Sequence, residues 1–517
     1  MGVHRQHPLQ SRAAVQFRST SACPSEVSSV CSFHSVRVDI CLNVVRTAEA
    51  RAEAWFGQPR WWPTRCSPNV WHDLGVSRDP STYREVAERA WAWALTQVRQ
   101  GDDGVWLSAH PGQTVPGDFP FGMHSGVGGL AHAMQEIQLT RPLTAAEFTL
   151  CDEIGETLVR RIPDETAYDY FDGLTSTIGV LTALHAGGNE LAVARLRELA
   201  MPGGWPASWI GPEKATPGAH CNDATLGTAS VLLGACWGHR HDVPGATELA
   251  ADAVDILLAE REPRDNGYYW GFIPRRFLIG EDVQMPNWSH GQAGIAAALA
   301  VAGIVLDRFD LVEAAASGAE YLLSQADTSD GGLRLPHRIP GLPDMDTFTY
   351  SWCHGPTGTS LLFAALDRAG VPAVGGATPA ELELACLHSL RVSGIPERLY
   401  PGFWDNDGRC CGTAGAGDTI LNAWQRYGLE EDLAFAVTLG DALVDRAIDD
   451  GVHAYWRFIE HRNPDPLLPP APGWMQGAAG IAAYLFRLAR LLEQGRGATG
   501  ATRMDTWWAI PSRSEAP

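Results

Sequence analysis

The stretch CCGTAGAGDTILNAW, from Cys410 to Trp424, places two adjacent cysteines directly before a Gly-x-x-Gly step and an apolar run. Adjacent cysteines are poor partners for a disulfide with each other, because the short ring that such a bond closes is strained. The glycines of the step, Gly412 and Gly415, followed by apolar residues, indicate the start of a buried helix. We therefore expect the two thiols to serve another purpose than a mutual disulfide.

The same pattern recurs along the chain as a glycine, two residues, a small residue and then an apolar run. Five copies have glycine as the small residue, and the other two have Ser176 and Ser230. Successive copies are 47 to 65 residues apart, which leaves room in each unit for two helices and their loops. The glycines that open the seven copies are Gly126, Gly173, Gly227, Gly291, Gly355, Gly412 and Gly477.

The segments between the copies predict amphipathic helices. Thr144 and Glu147 form a capping box, and Thr378 is an N-cap followed by Pro379 at the first and Glu381 at the third helical position. The first of these helices is predicted to present Phe148, Cys151, Ile154 and Leu158 at helical spacing. An earlier helix is predicted to align Val86, Ala90, Trp93 and Gln97 in one row.

Each unit is thus predicted to combine an amphipathic outer helix with an inner helix that is apolar on all sides and therefore buried. Signals for β-hairpins are scarce. We predict an all-α fold, an α/α toroid of seven inner and seven outer helices. The alternative is an open solenoid, for which repeats of about 60 residues are long.

Composition limits the function. The 517 residues carry a formal net charge of −21, which argues against a nucleic-acid partner, since phosphate binding requires a basic surface. Eleven scattered cysteines, an odd number in a long chain, favour a reduced, cytoplasmic protein over a secreted disulfide framework. No apolar run is long enough to predict a transmembrane segment.

The chain is predicted to divide into three parts. Residues 1–78 are rich in Arg and Ser and poor in acids, and are predicted to be a disordered or spurious N-terminal extension. Residues 79–495 form the toroid, and residues 496–517 form a C-terminal tail.

Chemically reactive side chains recur within the two residues before the motif glycine in three units. Cys353, Cys410 and Cys411 suit a tetrahedral Zn²⁺ with one open position, which is the catalytic rather than the structural arrangement. His290 occupies the same place one unit earlier and is a candidate acid or base. Alternatively, each cysteine taken alone is a small apolar residue, and His290 is a satisfied core histidine.

Two acids are candidates to assist His290. Asp223 and Asp169 both lie four residues before their motif glycines. Either carboxylate would also serve as a helix N-cap, which is a common structural use.

These motifs resemble the lanthionine synthetase C family, the cyclases of lanthipeptide biosynthesis and their LanC-like relatives. SHGQAGI, WCHGPTG, CCGTAG and MQGAAGI follow the family's motifs in order, and the resemblance covers roughly residues 80 to 495. It implies a toroid with one central zinc that adds a cysteine thiol to dehydroalanine or dehydrobutyrine.

Residue by residue, the resemblance implies that Cys353 and Cys410 are zinc ligands and that Cys411 replaces the histidine of many members. It also implies that His290 is the catalytic histidine and Asp223 the assisting acid. The sequence departs from the lantibiotic type at two positions, since Thr349 stands where an Arg is frequent and His354 where a Tyr is frequent.

The leading interpretation is a zinc-dependent thioether-forming cyclase that acts on a dehydrated precursor peptide, which a separate dehydratase would supply. A second interpretation is a zinc-binding LanC-like protein without cyclase activity, acting as a binding or signalling module or adding glutathione. A third is a carbohydrate-active α/α barrel, which would place paired acids at the mouth of the ring; the three cysteines argue against it.

Overall fold

The alternation of amphipathic and apolar segments produces two layers of helices. The computed structural model describes residues 78–343, 345–397, 406–460 and 465–511, and fourteen α-helices lie in these ranges. The outer helices are α1 (Pro80–Leu95), α3 (Ala145–Arg161), α5 (Asn189–Leu199), α7 (Ala246–Ala259), α9 (Phe309–Leu323), α11 (Pro379–Arg391) and α13 (Glu430–Arg446). The inner helices are α2 (Gly129–Gln138), α4 (Leu174–Ala183), α6 (Thr228–Arg240), α8 (Gln292–Leu306), α10 (Pro356–Arg368), α12 (Thr413–Tyr427) and α14 (Ala478–Gln494).

The inner helices form a closed ring. Each packs against the next along the chain, and α14 packs against α2. The outer helices α5, α7, α9, α11 and α13 each cover the inner helix that precedes them, whereas α1 covers α14 and so joins the two ends of the toroid. This arrangement confirms the predicted α/α toroid of seven inner and seven outer helices.

The inner layer is buried because its helices are apolar over most of their surface, and several of their few charged residues are buried as well. In α8, every residue from Gln292 to Gly303 is buried. The outer helices bury one face only, and two of them begin with the predicted capping boxes: Thr144 with Glu147 and Thr378 with Glu381. Among the described helices, none is long and apolar enough to cross a membrane.

Four two-stranded antiparallel hairpins accompany the helices, although the sequence signals for hairpins are scarce. Their strands are β1 (Val98–Gly101) with β2 (Gly104–Leu107), β3 (Glu262–Arg264) with β4 (Gly267–Tyr269), β5 (Ile448–Asp449) with β6 (Ala454–Tyr455), and β7 (Arg457–Ile459) with β8 (Leu467–Pro470). In the first hairpin Val98 lies opposite Leu107 and Gly101 opposite Gly104. The strands are two to four residues long, which is too short for alternation to be visible in sequence.

Some local predictions were wrong. Phe148, assigned to the buried face of α3, is 55% exposed, and Glu147 is buried instead because Trp91 Nε1 donates a hydrogen bond to its carboxylate at 2.6 Å. Gln97 lies beyond the end of α1. In the first unit the helix begins at Gly129 rather than directly after Gly126. Residues 1–77 of the predicted extension lie outside the described residues.

The motif glycines are required by a close approach of the backbone. We call the six residues before each motif glycine motif loops 1 to 7. In loops 2, 3, 4, 6 and 7 the first carbonyl of the loop accepts a hydrogen bond from the first residue of the inner helix, as Met285 does from Gln292 N at 2.9 Å. The loop thereby folds back over the helix start, and a Cβ at Gly291 would overlap the Met285 carbonyl. The loops are 120–125, 167–172, 221–226, 285–290, 349–354, 406–411 and 471–476.

Gly358→Ala tests the same kind of close backbone approach at the second glycine of the fifth motif, three residues after Gly355. A Cβ there would overlap the Trp352 carbonyl oxygen and lie 2.7 Å from Trp288 Cβ, so backbone must move. We expect a loss of roughly 2 kcal/mol or more in the free energy of unfolding, measured by urea denaturation. Ser230→Ala is the matched control at the equivalent position of the third unit, where a Cβ is already accommodated. Equal losses in the two variants would contradict the explanation.

A second prediction concerns pH. Burial, aided by the positive charges of Arg503 and Arg409, lowers the pKa of His132 in α2 to about 3, whereas an unfolded histidine titrates near 6.5. Between these values only the unfolded chain binds the proton, so the stability that neutral His132 contributes is complete above about pH 6.5 and is lost toward pH 3. Urea unfolding of His132→Phe at pH 7 to 4 should show a shallower decline than the parent chain. Parallel declines would show that His132 does not contribute.

Candidate metal centre

The seven motif loops lie side by side at one end of the ring and are joined by hydrogen bonds. His124 N of loop 1 donates to Phe171 O of loop 2 at 3.3 Å, and Tyr170 N of loop 2 donates to Thr225 O of loop 3 at 2.8 Å. Thr225 Oγ1 donates to Ser289 O of loop 4 at 2.9 Å. The repeated turns thus bring every position near the motif glycines to a common rim.

The series of hydrogen bonds continues on both sides of the cysteines. Ser289 N of loop 4 donates to Cys353 O of loop 5 at 2.9 Å. Cys410 N of loop 6 donates to Met475 O of loop 7 at 2.8 Å, and Met475 N returns to His124 O of loop 1 at 3.0 Å. Loops 5 and 6, which carry the cysteines, meet through their sulfur atoms.

The three cysteines form one buried cluster. The Sγ atoms of Cys353 and Cys410 are 2.7 Å apart, and those of Cys410 and Cys411 are 3.3 Å apart. All three sulfur atoms lie within 4.8 Å of one another, and all three residues are at most 1% exposed. The 3.3 Å separation exceeds a disulfide bond, so Cys410 and Cys411 are not bonded to each other.

The donor set fits a zinc ion. Two thiolates on one tetrahedral Zn²⁺ lie about 3.8 Å apart. The three sulfur atoms, all within 4.8 Å of one another, are close enough to bind the same ion. The ligands also precede α10 and α12, whose N-terminal dipoles favour negative charge. Three sulfurs leave one coordination position for another ligand. The assignment of Cys353, Cys410 and Cys411 as metal ligands stays a prediction.

His290 and Asp223 form a hydrogen-bonded pair in the neighbouring loops. His290 Nδ1 donates to Asp223 Oδ2 at 2.8 Å, and Asp223 Oδ1 accepts from Leu226 N at 2.8 Å. Asp223 is fully buried, and His290 is 6% exposed. Because the carboxylate holds the proton on Nδ1, the other ring nitrogen, Nε2, is left as the acceptor. Among the described residues, this buried nitrogen has no hydrogen-bond partner.

The pair lies beside the cysteine cluster. Ser289, adjacent to His290, donates its backbone N–H to Cys353 O, so loops 4 and 5 are in direct contact. The rings of His290 and His354 have centroids 5.3 Å apart, and His354 follows Cys353 in sequence. The His290–Asp223 pair and the three cysteines, which could hold a metal ion, therefore lie at the same rim.

Asp169 does not join this group. Its Oδ1 accepts hydrogen bonds from Phe171 N at 3.0 Å and from Asp172 N at 2.9 Å, which makes it a cap of its own loop. Burial raises its pKa to about 6, against the lowering effect of these backbone N–H groups. Of the two acids, Asp223 is the one that is hydrogen-bonded to His290.

Sequence reasoning missed the aromatic surroundings of the site. The His337 and His354 rings lie 4.3 Å apart, and Phe272 meets the His290 ring edge to face at 6.0 Å. Trp352 packs between Phe171 and Trp288, with centroids 5.9 and 6.1 Å away. His337 and Phe272 belong to long connections outside the repeated motif. The repeat therefore provides no signal for them.

Comparison with known proteins returns matches to solved structures only. No family model matches the sequence, and no curated protein matches it. Nisin cyclase is similar over 83% of this chain and 97% of its own, at 12% identity and a TM-score of 0.48. The Lin0763 protein from Listeria innocua (80% and 97%, 11% identity, TM-score 0.45) and a D-mannose isomerase (79% and 97%, 12% identity, TM-score 0.44) are also similar. Similarities at this level do not identify an activity.

The cluster predicts one zinc ion per chain in protein purified under reducing conditions. Cys411→Ala should lose the ion, since two sulfurs cannot hold it against a chelator. Elemental analysis after dialysis is the measurement. Cys386→Ala is the matched control, because Cys386 is equally buried but lies in α11, outside the cluster. A chain that holds no zinc, or a control that loses it equally, would contradict the assignment.

Proposed function

We propose that the protein is a zinc-dependent enzyme that adds a cysteine thiol to dehydroalanine or dehydrobutyrine in a dehydrated precursor peptide, forming a thioether. The observation that carries the proposal is the placement of three cysteine sulfurs within 4.8 Å of one another, beside a buried His290–Asp223 pair. The resemblance of the motifs to the lanthionine synthetase C family supports the same assignment.

Each part of the site has a role in this reaction. When bound by Cys353, Cys410 and Cys411, zinc would supply an open position at which a substrate thiol loses its proton. Three anionic ligands donate strongly, which keeps a fourth thiolate nucleophilic. Because Cys411 replaces a neutral ligand of related sites, we expect a more reactive sulfur and a more reversible addition.

The His290–Asp223 pair would carry out the proton transfers of the reaction. Attack of the substrate sulfur on the β-carbon forms the C–S bond, and the electron pair of the C=C bond moves to give an enolate. His290 would deliver a proton from Nε2 to the α-carbon, and it would receive that proton from the substrate thiol as the thiol is deprotonated, or from solvent. Asp223 would hold the ring through Nδ1 and stabilise its positive charge.

Burial of the site suits this chemistry. Phe272 and His354 pack against His290, and the three cysteines are buried, which would limit the access of water to the enolate. The substrate would come from a separate dehydratase, and we propose a reducing, cytoplasmic environment, in which the thiolates persist.

The activity predicts a specific assay. The zinc-loaded protein, incubated with a peptide that contains one cysteine and one dehydroalanine, should convert the free thiol to a thioether without a change in mass. Alkylation followed by mass spectrometry detects the loss of the thiol. His290→Asn and Asp223→Asn should each retain zinc but slow the reaction by roughly 100- to 10,000-fold, the usual contribution of a positioned acid.

Two results would overturn the proposal. Turnover by Cys411→Ala at the parent rate would show that the cluster is not involved. Zinc binding without thiol addition, with glutathione as well as with peptide thiols, would instead indicate a zinc-binding protein without cyclase activity. Thr349 and His354, where the sequence departs from the lantibiotic type, lie within four residues of Cys353. The assay therefore also tests whether a chain with these two residues has cyclase activity.

A further inference from the structure

Residues 503–510 enter the ring from the side opposite the motif loops, where Trp507 lies against the last residues of two inner helices, Arg240 of α6 and Arg368 of α10. We call residues 503–510 the C-terminal plug. Most of its side chains are buried, including Trp508 at 0% and Met504 at 2% exposure. Arg503 extends toward Glu136 of α2, and Trp507 stacks under Arg240 of α6 at 3.8 Å.

The plug touches each of the seven units. Met504 lies against Gly179 of α4, and Trp508 Nε1 donates to Leu361 O of α10 at 3.0 Å. Arg503 also contacts α12 and loop 7, and Trp508 contacts loop 4. A segment predicted as a tail is therefore an internal part of the toroid.

One arm of the plug reaches the loop that carries Cys353. The rings of Trp508 and Trp288 have centroids 6.1 Å apart, and Trp288 lies 6.1 Å from Trp352, which precedes Cys353. Trp288 also packs against the start of α10, where its Cβ is 2.7 Å from the position of a Cβ on Gly358. The indole rings of Trp508, Trp288 and Trp352 thus pack in series from the plug to loop 5.

A second arm reaches the loop that carries Cys410 and Cys411. Arg503 Nη2 and Arg409 Nη2 both donate to Asp418 Oδ2 at 2.6 Å, and Arg409 is adjacent to Cys410. The two guanidinium groups also lie over the Trp474 ring, at 5.5 and 4.2 Å. Burial alone would raise the pKa of Asp418, but the adjacent arginines hold it well below its usual range, so the carboxylate stays charged.

We propose that the C-terminal plug is a positioning element of the metal centre, with Trp508 and Arg503 as its positioning residues. Loops 5 and 6 meet through sulfur atoms that would repel one another as thiolates. Trp508 supports loop 5 through Trp288, and Arg503 supports loop 6 through Asp418. These two contacts set the spacing between Cys353 and the two cysteines of loop 6. This inference rests on the proposed metal site and adds a determinant of its affinity.

The contrast with a purely structural plug is testable, because the chain offers two adjacent tryptophans. Both are buried in the plug and their rings meet edge to face at 5.8 Å, but Trp507 lies against Arg240 and Arg368, whereas Trp508 contacts Trp288. A structural role predicts that both alanine variants lower the melting temperature and leave zinc affinity unchanged. A positioning role predicts a difference between them in affinity.

The experiment compares zinc affinity of the full chain with that of Trp508→Ala and Trp507→Ala, by competition with a chromogenic chelator under reducing conditions. We expect Trp508→Ala to bind zinc 10- to 100-fold more weakly, the usual effect of residues that orient metal ligands, and Trp507→Ala to stay within about threefold of the parent. Co²⁺-loaded Trp508→Ala should also show an altered ligand-field spectrum. Trp508→Phe should recover part of the affinity.

The outcomes separate this inference from the proposed function. If the parent chain binds zinc and both alanine variants bind it equally well, the plug is structural only and the inference is wrong. If the parent chain binds no zinc, the metal site itself is wrong. Should Trp508→Ala fail to fold, Trp508→Leu takes its place, and Arg503→Gln against Arg490→Gln repeats the comparison on the second arm.

Discussion

The structure depends on the contact between the first carbonyl of each motif loop and the motif glycine that follows the loop. Because the glycine has no side chain, the loop folds back onto the start of the helix. Its other backbone N–H and C=O groups then form hydrogen bonds with the neighbouring loops. His124, Phe171, Thr225, Ser289 and Met475 use these groups to join neighbouring loops. A ring of seven helices thereby acquires a rim whose loops are held at hydrogen-bonding distance.

That rim explains why residues far apart in sequence form one site. Cys353 and Cys410 are brought together because each occupies the same place in its loop and the loops are neighbours. His290 and Asp223 occupy different places in their loops, but they meet because loops 3 and 4 are also neighbours. The geometry thus follows from a repeat, and the chemistry follows from which side chains the repeat carries at each position.

The repeat also sets what could be predicted from sequence. The toroid, the starts of six of the seven inner helices and the capping boxes at Thr144 and Thr378 depend on local patterns, and the structure confirms them. Phe148 was misplaced because a periodic row cannot show that Arg141 and Trp91 draw Glu147 inward in its place. The hairpin strands are too short to show a periodic signal. His337 and the C-terminal plug contact residues far away in sequence, and such contacts also leave no periodic signal.

The plug shows how such contacts are made specific. A buried charge is costly unless it is paired, and the buried guanidinium of Arg503 is paired with Asp418, which also accepts hydrogen bonds from Arg409 and Arg487. A shift of the plug by one residue would remove Arg503 from Asp418 and leave charge uncompensated inside the ring. Apolar packing alone would tolerate such a shift. The ion cluster therefore selects one register, and that register places Trp508 beneath Trp288.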